Sequence, residues 1–341
     1  MSRTAVVLFN LGGPDSLDAV KPFLVNLFSD PAILRVPGLV RGLLARLIAG
    51  RRAPIAREIY RKLGGRSPIL PQTEAQAAAL KAALGGEAEV VIAMRYWRPF
   101  AADAAARVAA FRPDRIVLLP LYPQFSTTTT ASSLSDWHRA AKAVGIGHLP
   151  QHTICCYPGE PGFVATQAEA IGAALDQVPP GMPVRVLFSA HGLPKRIVDD
   201  GDPYPHLVER TAAAIVARLA RPGLDWLVSY QSRVGPLEWI GPSTDAEIDR
   251  AGRDKTALVV APIAFVSEHS ETLVELDIEY RHRAEEEGVP LYLRVPTAGV
   301  APDFIAGLAG LVREALGRPG VAPYGGRRFC PTACGRCPVP G

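Results

Sequence analysis

The densest set of ionisable side chains lies in SEHSETLVELDIEY at 267–280, which gathers Glu268, His269, Glu271, Glu275 and Glu279 within one short run. In an α-helix a spacing of four advances about 400°, so Glu271, Glu275 and Glu279 would stand one turn above another and only about 40° apart. Such a stripe is either a solvated outer face or a line of ligands. Its flank favours ligands. ALVVAPIAFV at 257–266 reads as a buried strand, and a helix opening off a strand's carboxyl end starts where open α/β sheets bind small molecules. His191 directly follows a second apolar strand, VRVLFSA at 184–190. An imidazole facing a row of acids suits the joint handling of protons and a divalent cation, and carboxylates this close titrate as a coupled set.

The elements that must position these groups recur along the chain. VVLFNLGGP at 6–14 has a counterpart in RVLFSAHGLP at 185–194, and IVLLPLYPQFS at 116–126 in LVVAPIAFVS at 258–267. Helical stretches such as ADAAARVAAF at 102–111 and HLVERTAAAIVARLA at 206–220 alternate with the strands. The alternation predicts an α/β protein with parallel sheets, right-handed crossovers and helices on both faces. Two similar domains are expected, at 1–150 and 151–301, with a C-terminal helix and cysteine-rich tail at 302–341. Polar residues collect at the predicted strand ends: Asn10, Arg95, Tyr96, Ser126, Ser189, His191, Gln231, Ser232, Glu268 and His269. Aromatic residues in or near the loops, Tyr60, Tyr96, Trp97 and Trp239, suit either a large flat ligand or core filling. NLGGPD lacks GxGxxG spacing and no GxxxxGK[ST] occurs, which disfavours a dinucleotide or ATP enzyme.

Composition narrows the classes further. A chain of 341 residues, 48% hydrophobic and 21% charged, is globular and long enough for two cores, and a net charge of +4 is too mild for a nucleic-acid partner. No secretory signal and no membrane-length apolar run is read, so a cytoplasmic location is expected, where the five cysteines would be metal ligands or thiols. LVRGLLARLIAGRR at 39–52 is either an interfacial amphipathic helix or an ordinary surface helix; with DPAILRVPGL at 30–39 it could form an apolar lip for peripheral membrane contact. A monomer and a homodimer are both compatible with the sequence.

NLGGP, LGGRSPI, AMRYW, FSAHGLP, GDPYP, YQSRVGPLEWIGPSTD and PIAFVSEHSETLVELDIEY occur in this order over nearly the whole chain. Together they closely resemble the ferrochelatase family, which inserts ferrous iron into a porphyrin to make haem. The resemblance implies two flavodoxin-like (Rossmann-type) domains with four-stranded parallel sheets, the chelatase fold, and a porphyrin held in the cleft between them. It implies that His191 is the site histidine and Glu271 its partner acid, both catalytic and both in contact with the metal, with Glu275 and Glu279 continuing an acidic ladder that handles metal. Leu11, Tyr60, Ser67, Arg95, Tyr96 and Trp239 match positions around the macrocycle. The substrate implied is protoporphyrin IX with ferrous iron; a coproporphyrin enzyme, another tetrapyrrole chelatase and a non-catalytic porphyrin carrier are the competing readings. Two departures stand out: Glu268 replaces the aspartate many relatives carry, and Leu11 stands where some have methionine or tyrosine.

The tail RRFCPTACGRCPVPG at 327–341 sets Cys330, Cys334 and Cys337 within eight residues, a candidate metal or iron–sulfur site. A four-cysteine site would need Cys155 or Cys156, which are adjacent, and either could serve. The resemblance implies a [2Fe–2S] cluster of the kind some family members hold; zinc is the alternative. Animal members draw their distant ligand from a loop where this chain has Ser126 and Thr127, which leaves Cys155 or Cys156 for that role.

Overall fold

The structure is a computed structural model and describes residues 2–86, 88–232 and 237–340. The chain divides into two compact units, the first comprising Met1–Cys155 and Leu308–Ala322, the second Cys156–Gly307 and Pro323–Gly341. The boundary therefore falls near, not at, the expected 150. The C-terminal stretch expected as a separate piece from 302 is shared between the two units.

In the first unit the order is β1 (Thr4–Asn10), α1 (Val20–Phe28), α2 (Gly38–Lys62), α3 (Ile69–Ala83), β2 (Ala88–Met94), α4 (Ala101–Phe111), β3 (Arg115–Pro120), α5 (Thr130–Ala143) and β4 (Gln151–Ile154). The second contributes α6 (Pro161–Leu175), β5 (Val184–His191), α7 (Lys195–Asp199), α8 (Tyr204–Leu219), β6 (Asp225–Gln231), α9 (Thr244–Asp254) and β7 (Ala257–Pro262). A π-helix (Glu271–Glu279), α10 (Tyr280–Glu286) and β8 (Tyr292–Arg294) follow, then α11 (Pro302–Leu316) and β9 (Gly320–Ala322).

Both sheets are parallel, as the alternating pattern predicts. The second has four strands in the order β6-β5-β7-β8, while the first has five, β2-β1-β3-β4-β9. The extra strand is a correction to the expected four: Gly320–Ala322 pairs along His152–Ile154 and closes that edge. Strands covered on both faces need continuous apolar side chains, and all seven residues of TAVVLFN and all six of ALVVAP are buried. Helices supply the covering layers: Trp137 of α5 meets Phe9 edge-on in the first unit, and Ile171 of α6 and Ile215 of α8 pack with Phe188 in the second.

α2 packs through small residues. Ala45, Ala49 and Ala53, four apart, form its buried stripe, which leaves Leu39, Val40, Leu43, Leu47 and Ile55 exposed. Among the described residues no helix is long and apolar enough to cross a membrane.

Candidate active site

In the second unit the carboxyl ends of β5, β6 and β7 deliver the candidate catalytic groups to one edge of the sheet. His191 is the last residue of β5, and Gln231, its register partner, the last of β6. Gly192 then carries the chain close past its neighbour: a Cβ there would stand 3.0 Å from the Gln231 carbonyl oxygen and 3.2 Å from the Trp239 ring. Trp239, bridged to Pro194, is thereby packed next to the histidine. Residues 233–236 of the same motif lie outside the described residues.

His191 Nδ1 lies 2.6 Å from the Gly192 carbonyl oxygen, which fixes the ring with Nδ1 as the donor. Nε2 then carries the lone pair, 3.8 Å from Glu271 Oε1. The other Glu271 oxygen lies 3.4 Å from Nε2 of His269, which is buried and anchored through Nδ1 to the Ser267 carbonyl. Burial pushes the Glu271 carboxyl upward, but the imidazoles of His191 and His269 outweigh it and hold the group at about 2. Glu271 is thus a carboxylate between two histidines.

Four donors surround Glu275. Oε1 accepts from the Ser232 backbone N–H at 2.9 Å and the Tyr280 hydroxyl at 3.2 Å; Oε2 accepts from Gln231 Nε2 at 3.1 Å and the Ser232 hydroxyl. Ser189 of β5 donates to Gln231 Oε1 at 2.6 Å, which sets the amide so that its nitrogen faces Glu275 and the Glu271 carbonyl. Burial and the nearby Glu271 push the Glu275 carboxyl upward, against the pull of Ser232, His191 and Gln231.

The acidic run does not form the α-helical stripe expected from its spacing. Glu271–Glu279 is a π-helix, whose i→i+5 bonding adds a residue to each turn. Tyr280, five after Glu275, therefore reaches the Glu275 carboxylate, whereas Glu279, four after, is exposed. Glu268, expected to face His191, instead accepts from Arg294 at 2.7 Å and the Thr297 N–H at 2.9 Å. Arg294 also engages both oxygens of Asp277, so Glu268 belongs to a structural network behind the π-helix.

The expected macrocycle residues of the first unit form a frame of their own. Tyr60, Ser67 and Tyr96 are buried, while Leu11 and Arg95 are half-buried. Asp30, which no sequence signal marks, ties two of them, Arg95 and Tyr96, together. Its Oδ2 accepts from Arg95 at 2.9 Å, from the Tyr96 hydroxyl at 2.7 Å and from Ser132, and its Oδ1 accepts from the Ala32 N–H.

The cysteine expectation finds no support. Among the described residues no three or more His, Cys, Asp or Glu side chains are grouped to hold a metal ion, so no ligand set for a [2Fe–2S] cluster or for zinc is assembled from Cys330, Cys334 and Cys337 with Cys155 or Cys156. A side-chain cation organises the tail instead: the Arg328 guanidinium donates to the carbonyls of Cys330, Pro331, Cys334 and Val339. Cys330 is buried, Cys334 and Cys337 are half-buried, and burial with the neighbouring Cys337 raises the Cys334 thiol.

The profile of the Ferrochelatase family matches residues 3–316. Among curated relatives, Ferrochelatase of Phenylobacterium zucineum is 55% identical over 340 residues, covering 98% of this chain and 97% of the relative. Ferrochelatase of Caulobacter vibrioides is 53% identical over 345 residues, with the same coverage. In fold the chain is similar to the sirohydrochlorin chelatase SirB from Bacillus subtilis in complex with cobalt (TM-score 0.53, 11% identity, 92% of this chain and 95% of that one). It is also similar to CbiX, the terminal enzyme for biosynthesis of siroheme in denitrifying bacteria (TM-score 0.50, 18% identity, 92% and 99%). A two-unit parallel α/β architecture, a histidine and acids at one sheet edge, and a full-length match at this identity lead to one conclusion: the chain belongs to the ferrochelatase family, and it inserts iron into a porphyrin in haem synthesis.

Proposed function

We propose that the porphyrin is protoporphyrin IX and the product protohaem, with His191 as the base that takes pyrrole protons and Glu271 as the charge that stabilises the resulting imidazolium. The observation that carries this reading is the His191 ring, its Nδ1 tied to Gly192 and its Nε2 3.8 Å from Glu271 Oε1. Insertion replaces two N–H protons of the macrocycle by ferrous iron, so each turnover gives haem and two protons. A group able to accept a proton beside a fixed negative charge meets that demand. A planar porphyrin shields its inward lone pairs; binding that favours a bent ring, closer to the transition state, lowers the barrier. In class the enzyme is a lyase that forms metal–nitrogen bonds.

Glu275 and Glu279 are assigned to the handling of iron, Glu275 as the half-buried member next to Glu271 and Glu279 as the exposed one. Leu11, Tyr60, Ser67, Arg95, Tyr96 and Trp239 are assigned to porphyrin binding on the match of their motifs. The Asp30 network supports this for Arg95 and Tyr96, because it fixes both side chains before any ligand arrives. Exposed leucines on α2 beside exposed Arg46 and Arg51 support peripheral docking on an anionic membrane, which suits a poorly soluble porphyrin. Anaerobic turnover with ferrous iron tests the substrate: protoporphyrin is expected to be metallated faster than coproporphyrin, and the reverse order overturns the choice. Co-sedimentation with anionic vesicles, reduced by Leu39→Ser with Leu43→Ser, tests the docking.

A further inference from the structure

Ser232 follows β6 directly and adopts φ +62°, the left-handed region that glycine occupies freely and that costs a residue with a Cβ. Such strain persists only where surrounding contacts impose it, and it concentrates at working sites. The contacts here are unusual for a single residue. Its backbone N–H donates to Glu275 Oε1 at 2.9 Å while its hydroxyl donates to Oε2, so one serine grips both oxygens of one carboxylate. Glycine would fit the backbone and supply only the first of these bonds. Serine supplies both and accepts the strain.

A carboxylate offers about four lone-pair sites; two donors from Ser232 and one from Gln231 Nε2 hold Glu275, while the Tyr280 hydroxyl, with one proton, is shared between Glu275 at 3.2 Å and Asp245 at 3.4 Å and can release an acceptor site to a cation. The donors from Ser232 and Gln231 set its orientation. Gln231 is fixed by Ser189 and Tyr280 by the π-helix, but Ser232 alone engages both oxygens. We propose that Ser232 is a positioning residue of the chelation reaction, whose left-handed backbone and hydroxyl lock the Glu275 carboxylate in one orientation next to Glu271 and His191. Resting on the reading that Glu275 handles iron, the inference assigns Ser232 an effect on the metal and none on the porphyrin.

Crossed substitutions separate positioning from mere stability. Ser232→Gly removes the hydroxyl and relieves the strain: Tm is expected to hold or rise while KM for ferrous iron rises about tenfold, the effect of losing one hydrogen bond to a charged group, with KM for porphyrin unchanged. Ser232→Thr keeps the hydroxyl but strains the backbone further: Tm is expected to fall while KM for iron stays near that of the parent. Adding Ser232→Gly to Glu275→Gln should cost nothing beyond Glu275→Gln alone. If iron KM follows Tm across the Gly and Thr variants, or if Ser232→Gly handles iron normally while Glu275→Gln is impaired, the positioning role is overturned. If Glu275→Gln itself handles iron normally, the assignment of Glu275 fails and the inference falls with it.

Discussion

Replacing Glu271 by glutamine keeps the shape of the side chain and removes its charge, which isolates what that charge does for the base. When His191 takes a pyrrole proton, an imidazolium forms with Nε2 3.8 Å from Glu271 Oε1. At an effective dielectric of about 20 that separation corresponds to about 4 kcal/mol of attraction. Both groups are partly solvated, His191 at 37% and Glu271 at 27% side-chain exposure. Screening reduces the attraction to about 2 kcal/mol, or about thirtyfold in rate. Steady-state metallation, followed by the conversion of porphyrin to haem absorption, should show Glu271→Gln losing about that factor in kcat. Porphyrin affinity, measured by fluorescence quenching, should change little. An unchanged kcat, or a loss located wholly in porphyrin binding, would refute the pairing of base and acid.

Other outcomes follow from the same geometry. Because Glu271 is held at about 2, below its ordinary 4.5, the stability it contributes is present above about 4.5 and is lost as pH falls through about 2. The advantage of the parent over Glu271→Gln in urea unfolding should therefore shrink as pH is lowered across that window; a margin flat from 4.5 to 2 would contradict the histidine sandwich. Asp30→Asn should cost about 3–5 kcal/mol, since it removes the nearer carboxylate of Arg95, 17% exposed, and leaves Asp136 at 3.7 Å as its remaining anionic partner among the described residues. A urea midpoint equal to the parent's would show that the network does not hold Arg95.

The sequence made the scaffold and the principal groups legible for physical reasons. Strands buried on both faces must be apolar throughout, so VRVLFSA and ALVVAPIAFV were visible as parallel strands, and residues immediately beyond their ends had to lie at the ligand edge. That placed His191 and Glu271 together. Spacing does not disclose the helix type: α and π turns read the same residues with different partners, so nothing in the sequence singles out Tyr280, and Glu279, in line with Glu271 and Glu275 on an α-helix, is an exposed side chain in the structure. Nor could it disclose pairings fixed only by tertiary folding, such as Glu268 with Arg294, Asp30 with Arg95, or Gly320–Ala322 along β4. Ser232 carries no local mark of positive φ, because serine is common in ordinary loops. The tail cysteines were legible as a concentration of thiols, but sequence spacing does not bring side chains to one point, and Arg328 occupies the middle of that turn.

The proton-accepting role of His191 is tested most directly by assaying His191→Ala for metallation and for porphyrin binding in the same preparation under anaerobic conditions. The variant should bind porphyrin as the parent does and lose iron insertion by about 10²–10⁴-fold, the range expected for removal of a positioned base. Metallation at the parent's rate by a folded variant that binds porphyrin would contradict it.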